Sequence, residues 1–160
     1  MTNPTLYMLV GVPGSGKSTW IANNFEYDGT LIASTDNFIE FTATRLNKTY
    51  NEIFKETISF ATDAMMDDVQ WAVSNDVNII WDQTNITAKA RAKKLAHIPK
   101  NYKKIAVFFP TPEDDEWTRR LESRPNKTIP NHVLEGMMNM IEMPTVEEGF
   151  DEIIIVQESK

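Results

Sequence analysis

Between Gly11 and Ser18 the chain reads Gly-Val-Pro-Gly-Ser-Gly-Lys-Ser, the full spacing of a phosphate cradle. Glycines at 11, 14 and 16 let the backbone curl until successive N–H groups face one point. A helix starting there adds the positive end of its dipole to the same field. Pro13 and Ser15 complete the loop, and Thr19 follows in the first helical turn. Lys17 is expected to reach the β- and γ-phosphates of a nucleotide, and the Ser18 hydroxyl to ligate Mg²⁺. An apolar run, Leu6–Val10, leads in, as a strand feeding such a loop must.

Two carboxylates stand where strands end. Asp82 follows Asn78-Ile-Ile-Trp81 and is placed to help hold Mg²⁺. Asp36 follows Leu31-Ile-Ala-Ser34, and ligands in open α/β sheets bind off the carboxyl ends of strands. There it could accept the proton of an attacking hydroxyl; the structural alternative is a helix cap. A fourth feature is Arg119-Arg-Leu-Glu-Ser-Arg124-Pro-Asn-Lys127-Thr-Ile-Pro130, polar, basic and pinned by two prolines. It reads as a lid over about 119–130, with Arg120 and Arg124 toward the phosphates. An arginine there would offset charge developing on the transferring group.

The elements that must carry these residues follow from periodicity. Short apolar strands at Leu6–Val10, Thr30–Ser34, Val77–Trp81, Lys104–Phe109 and Glu152–Val156 alternate with helical patterns, which argues for α/β with a largely parallel sheet. The first helix runs to about Asn24. The next spans Asn51–Ser74, where Phe54, Ile58, Ala61, Met65, Val69, Ala72 and Val73 step by three or four and predict one buried stripe. Thr87 caps a helix to about His97, Pro112 opens another, and Pro130 opens the last, to about Ile141. His97 and His132 read as surface or capping residues. The four tryptophans are expected in the core or at its margin, and Met137, Met138, Met140 and Met143 as core or subunit contacts.

A chain of 160 residues suits one domain, here taken as 1–160. It has no cysteine, which excludes disulfides and Cys-based zinc sites and points to an intracellular, cytoplasmic home. No leader pattern is seen, and no apolar run is long enough to cross a bilayer. The net charge of −7 argues against coating duplex nucleic acid. Residues 89–104 nevertheless carry seven cations and no acid, leaving −14 on the rest. That segment is either a solvated helix face or a patch that steers an anionic substrate.

Taken in order, GVPGSGKSTW, STDNF, IIWDQTN with Arg91 following, RLESRPNKTIPNHV and MPTVEEGFDEI resemble the kinase domain of 5′-polynucleotide kinases of the bacteriophage and metazoan repair type. The resemblance covers nearly the whole chain. It implies a three-layer, adenylate-kinase-like P-loop NTPase with an Arg-bearing lid, and transfer from ATP, with Mg²⁺, to a 5′-hydroxyl end of DNA or RNA. It implies Asp36 as general base, Arg124 acting from the lid, and Thr35, Thr84, Asn85 and Arg91 on the acceptor side. Three residues past the base, where the phage-type enzyme has a phosphate-gripping arginine, stands Ile39; Arg45, Arg91 or Lys93 are the candidates to replace it. No Asp-x-Asp-x-Thr phosphatase signature is present, and relatives that form homo-oligomers leave that state open here. A kinase of a small hydroxyl acceptor is the alternative, and a non-catalytic ATP-dependent module a second. Neither Asn47-Lys48 nor Asn126-Lys127 is followed by the Asp of a guanine-reading motif.

Overall fold

The computed structural model describes residues 2–25, 29–124 and 127–157. Five strands, β1 (Thr5–Val10), β2 (Leu31–Ala33), β3 (Ile79–Trp81), β4 (Lys103–Phe108) and β5 (Glu152–Ile155), form one sheet in the order β2-β3-β1-β4-β5. Every pairing is parallel. Parallel neighbours need crossovers, and the helices supply them: α1 (Lys17–Asn24), α2 (Thr35–Leu46), α3 (Tyr50–Ser74), α4 (Ala88–Leu95), α5 (Asp114–Glu122) and α6 (Asn131–Met140).

Alternation along β1 sorts the core into layers. Leu6 and Met8 pack with Trp81, Met65 and Val69 on the α3 side, whereas Leu9 packs with Ile80, Val107 and Phe109, against which Trp20 and Ile21 of α1 lie. The expected α/β P-loop architecture is therefore present. β2, β3 and β5 are shorter than expected, whereas β1 begins one residue earlier, at Thr5, and β4 is shifted by one to Lys103–Phe108. Val77 is not in β3, because its N–H still bonds the Ala72 carbonyl at the end of α3 (2.9 Å).

Other expectations shift for local reasons. Pro112 precedes α5 by two residues, and Glu113 is the N-cap. Pro130 is the N-cap of α6. Ser34, not Asp36, caps α2, its hydroxyl accepting from the Asn37 N–H (3.2 Å). Ala61, Met65, Val69 and Ala72 are buried as the stripe requires, but Ile53 rather than Phe54 faces the core, and Phe54 is 41% exposed. Trp71 is exposed and not part of the core. His97 and His132 lie at the surface. Among the described residues no helix is long and apolar enough to cross a membrane.

Candidate active site

The loop from Gly11 to Gly16 joins β1 to α1. Gly14 and Gly16 have φ of 77° and 103°, the left-handed region that side chains disfavour. A Cβ at Gly11 would stand 2.6 Å from Ser15 Oγ and 2.9 Å from Phe109 Cβ, so glycine is a packing requirement there. Lys17 Nζ donates to the Gly11 carbonyl at 2.7 Å. Burial pulls the Lys17 ammonium down to about 8, against the attraction of Asp82 and Asp36. An ammonium so desolvated gains from an arriving phosphate.

Helix α5 is docked onto this loop. Trp117 Nε1 donates to the Pro13 carbonyl at 2.7 Å, and Arg120 donates to the Gly14 carbonyl at 3.2 Å and to Glu116 at 2.8 Å. Trp117, Arg120 and Arg124 recur at helical spacing, which is the signal that could have tied the tryptophan to the loop. Arg124 Nη1 and Ser15 Oγ are buried polar atoms without a hydrogen-bond partner. Both belong to residues lining one large cleft with Lys17, Ser18, Thr19 and Asp82. Unsatisfied buried donors are costly, and phosphate oxygens would satisfy them. The residues present thus fit a nucleoside triphosphate.

Asp82 lies just beyond β3, its N–H bonded to the Ala33 carbonyl (2.8 Å). Burial raises its carboxyl, with Lys17 opposing. Ser18 and Asp82 share the cleft, a donor set that suits Mg²⁺ completed by phosphate oxygens and water. No cluster of three or more acidic or histidine ligands occurs among the described residues, so a metal there would depend on the nucleotide.

Asp36 sits in the first turn of α2. Tyr50 Oη donates to its Oδ1 at 2.5 Å, and Lys127 Nζ to its Oδ2 at 2.9 Å. Lys127 also reaches Glu40 (3.2 Å) and lies 4.4 Å from the centre of the Tyr50 ring. Burial works to raise the Asp36 carboxyl, but these hydrogen bonds and the Lys127 charge outweigh it and hold the group below its ordinary value. Asn51 exchanges hydrogen bonds with the Thr128 backbone (3.0 and 3.3 Å), tying the segment after residue 127 to the start of α3. Tyr50 and the pairing of Lys127 with Asp36 were missed by sequence reasoning.

The acceptor-side candidates divide. Thr35 and Thr84 line the cleft; Thr35 Oγ1 accepts from Gln83 (3.2 Å), and the Thr84 carbonyl accepts from the Gly11 N–H (3.0 Å). Asn85 is buried with a φ of 48°, and its amide donates to the Leu9 carbonyl (2.8 Å) while Lys94 donates to its Oδ1. It braces β1 from behind. Arg91 is wholly buried; its guanidinium bonds Glu148 (2.7 and 3.1 Å) and the carbonyls of Asn85 and Glu142. All three of its guanidinium nitrogens are engaged in holding the fold, and Arg91 does not line the cleft. Arg45 is exposed in the last turn of α2, its guanidinium 5.9 Å from the Phe41 ring, away from the cleft. Lys93 is also exposed and outside the cleft, and Ile39 is buried between α2 and α3. None of the three candidates, Arg45, Arg91 and Lys93, lines the cleft in place of the expected arginine. Pro125 and Asn126, within the basic stretch, lie outside the described residues.

A family model described as AAA domain matches residues 6–144. Among solved structures, a chain of the Pnkp1/Rnl/Hen1 RNA repair complex aligns with a TM-score of 0.67 at 21% identity, covering 88% of this chain and 44% of that one. This chain thus spans less than half of that relative. A chain from the PezAT chromosomal toxin–antitoxin system of Streptococcus pneumoniae aligns at 0.67 with 20% identity, covering 98% and 68%. Shikimate kinase from Acinetobacter baumannii, in complex with shikimate, aligns at 0.56 with 16% identity, covering 99% and 86%. At these identities the likeness is one of fold, that of a P-loop kinase.

Proposed function

The chain belongs to the AAA domain family, and from that premise we propose that it is a phosphotransferase that moves the γ-phosphate of ATP to the 5′-hydroxyl end of DNA or RNA. The observation that carries the transfer is Asp36, a carboxylate oriented by Tyr50 and Lys127 in the same cleft as the phosphate loop. The 5′-end as acceptor rests on the resemblance of the ordered motifs, supported by the fold shared with the RNA-repair chain.

In this reading the loop amides and Lys17 bind the β- and γ-phosphates, and Ser15 Oγ and Arg124 Nη1 find their partners there. Ser18 and Asp82 would hold Mg²⁺, which would supply positive charge to offset that of the phosphates. Asp36 accepts the proton of the acceptor hydroxyl as its oxygen bonds to the γ-phosphorus. The bond to the β,γ-bridging oxygen breaks and ADP leaves. Asp36 need only orient the nucleophile, because phosphoryl transfer relies mainly on positioning and electrostatics. We read 119–130 as a lid that brings Arg124 over the phosphates, the whole of 1–160 as one kinase unit, and its setting as intracellular.

A second reading, a small hydroxyl-bearing acceptor, is favoured by Ile39, whose burial leaves no arginine at the expected phosphate grip. Incubation with γ-labelled ATP, Mg²⁺ and 5′-OH oligonucleotides, 3′-nucleotides, nucleosides or sugars separates the two. Label on oligonucleotide 5′ ends, lost in Asp36→Asn, is the expected result. Label confined to small acceptors would replace the first reading with the second. ATP binding without transfer to anything would leave only a nucleotide-dependent module.

A further inference from the structure

The cleft has a volume of about 1160 Å³, more than one drug-sized ligand fills. Part of it is accounted for by the phosphate loop. The remainder opens beside Asp36, where Phe54 and Ile58 of α3 line it, one and two turns past Tyr50. Of the two, Phe54 stands out. Its ring centre lies 5.6 Å from that of Tyr50 with planes at 35°, and it is 41% exposed. Tyr50 and Ile58 pack against the α2–α3 core, but Phe54 does not belong to that cluster. A large aromatic ring on a cleft wall, outside the core, offers a face to a ligand.

The charges in this half point the same way. Its carboxylates are Asp36 and Glu40, and Lys127 is bonded to both. Lys127 also occupies the neighbourhood of the Tyr50 ring, so Phe54 is the aromatic ring left to stack. Lys127 is thus held by the two carboxylates, and Arg124, whose charge is also felt at Asp36 and Tyr50, serves the nucleotide in the proposed reading, which leaves neither to grip a further phosphate.

Resting on the proposed reading of Asp36 as the residue that takes a 5′-hydroxyl, we propose that Phe54 stacks the base of the terminal nucleoside, so that the acceptor is held by its base and not by its 3′-phosphate. Tyr50 couples the two halves of the contact, its hydroxyl on Asp36 and its ring against Phe54. Stacking tolerates every base, which predicts little preference for sequence at the end.

The test is binding and transfer measured side by side. With Mg²⁺ and a saturating non-hydrolysable ATP analogue occupying the donor site, thymidine, thymidine 3′-phosphate and 1-methyl-2-deoxyribose are titrated by calorimetry into the wild type, Phe54→Ala and Phe54→Tyr. Thymidine should bind about tenfold or more tighter than the baseless sugar. The 3′-phosphate should change its Kd by less than about threefold. Phe54→Ala should remove the advantage of the base, and Phe54→Tyr should keep it. Equal binding of thymidine and the baseless sugar, an advantage that survives Phe54→Ala, or a large gain from the 3′-phosphate would each overturn the proposal. Transfer to 5′-OH oligonucleotides with a normal or an abasic end separates this failure from that of the proposed function. Phe54-dependent thymidine binding without 5′ labelling would sink the 5′-kinase reading alone. Equal labelling of normal and abasic ends would sink the stacking proposal alone.

Discussion

The hydroxyl of Tyr50 donates to Oδ1 of Asp36 across 2.5 Å, linking the first turn of α3 to the first turn of α2. Burial and this bond push the Tyr50 phenol well above its ordinary value, so it stays a donor throughout the working pH range. Tyr50→Phe removes a donor that favours the Asp36 carboxylate, and the Asp36 carboxyl must then titrate higher. The acid limb of the kcat/KM profile for transfer should move to higher pH, with activity lost more at pH 5–6 than at pH 8. An unmoved acid limb would show that Tyr50 does not act through Asp36.

Arg124 presents a buried Nη1 without a partner, whereas Arg120 is bonded to Gly14 and Glu116. Substituting them should therefore have different effects. Arg124→Ala is expected to lower kcat by about 10³-fold, the scale of an arginine that meets developing phosphate charge, with ATP affinity changed far less. Arg120→Ala should act mainly on ATP affinity, by loosening the loop. Steady-state kinetics beside equilibrium nucleotide binding checks both, and a kcat unaffected by Arg124→Ala would remove it from the chemistry.

Arg91 and Glu148 join α4 to the turn before β5, with the guanidinium fully buried. Arg91→Met should destabilise by roughly 3 kcal/mol, because it strips a partner from a buried pair and leaves two carbonyls without donors. Arg91→Lys should fail to restore stability, since one ammonium cannot reproduce the fork. Burial tends to raise the Glu148 carboxyl, but Arg91 and Thr145 hold it below its ordinary value. A depressed carboxyl contributes stability that is complete above its unfolded-state pKa and is lost as pH falls through the folded-state pKa. Urea unfolding should thus show a flatter acid decline for Arg91→Met than for the wild type. A large rise in acceptor KM at unchanged stability would instead return Arg91 to the acceptor side.

These residues show how far the sequence carries. The phosphate loop is legible because its glycines are dictated by local geometry, and Asp36 and Asp82 because strand ends in an α/β sheet face the ligand. The partners of Asp36 are not, for they lie 14 and 91 residues away along the chain and are joined only by the α2–α3 packing and the segment after α5. Arg91 misleads because a lone arginine is ordinarily exposed, and its partner is 57 residues further on. Phe54 fits the helical stripe of α3, but periodicity cannot separate a core face from a cleft wall on the same side of a long helix.

Lys17 ties the loop's electrostatics to a measurable proton. Burial is the largest influence on it and lowers its ammonium to about 8, so near pH 8 a sizeable fraction is neutral in the nucleotide-free protein. Triphosphate oxygens favour the charged form and must raise that value. ATP binding at pH 8 to 8.5 should therefore take up protons, visible as calorimetric enthalpies that vary with the ionisation heat of the buffer. The uptake should vanish in Lys17→Met. The same shift has a stability consequence of opposite sense to that of Glu148. A lysine whose folded-state value lies below its unfolded one costs stability at neutral pH, and the cost is relieved as pH rises from about 8 to the unfolded value. Lys17→Met should accordingly stabilise the nucleotide-free protein at pH 7 while abolishing transfer. A variant no more stable than the wild type, together with buffer-independent binding enthalpies, would mean that Lys17 is already fully charged and solvated before the nucleotide arrives.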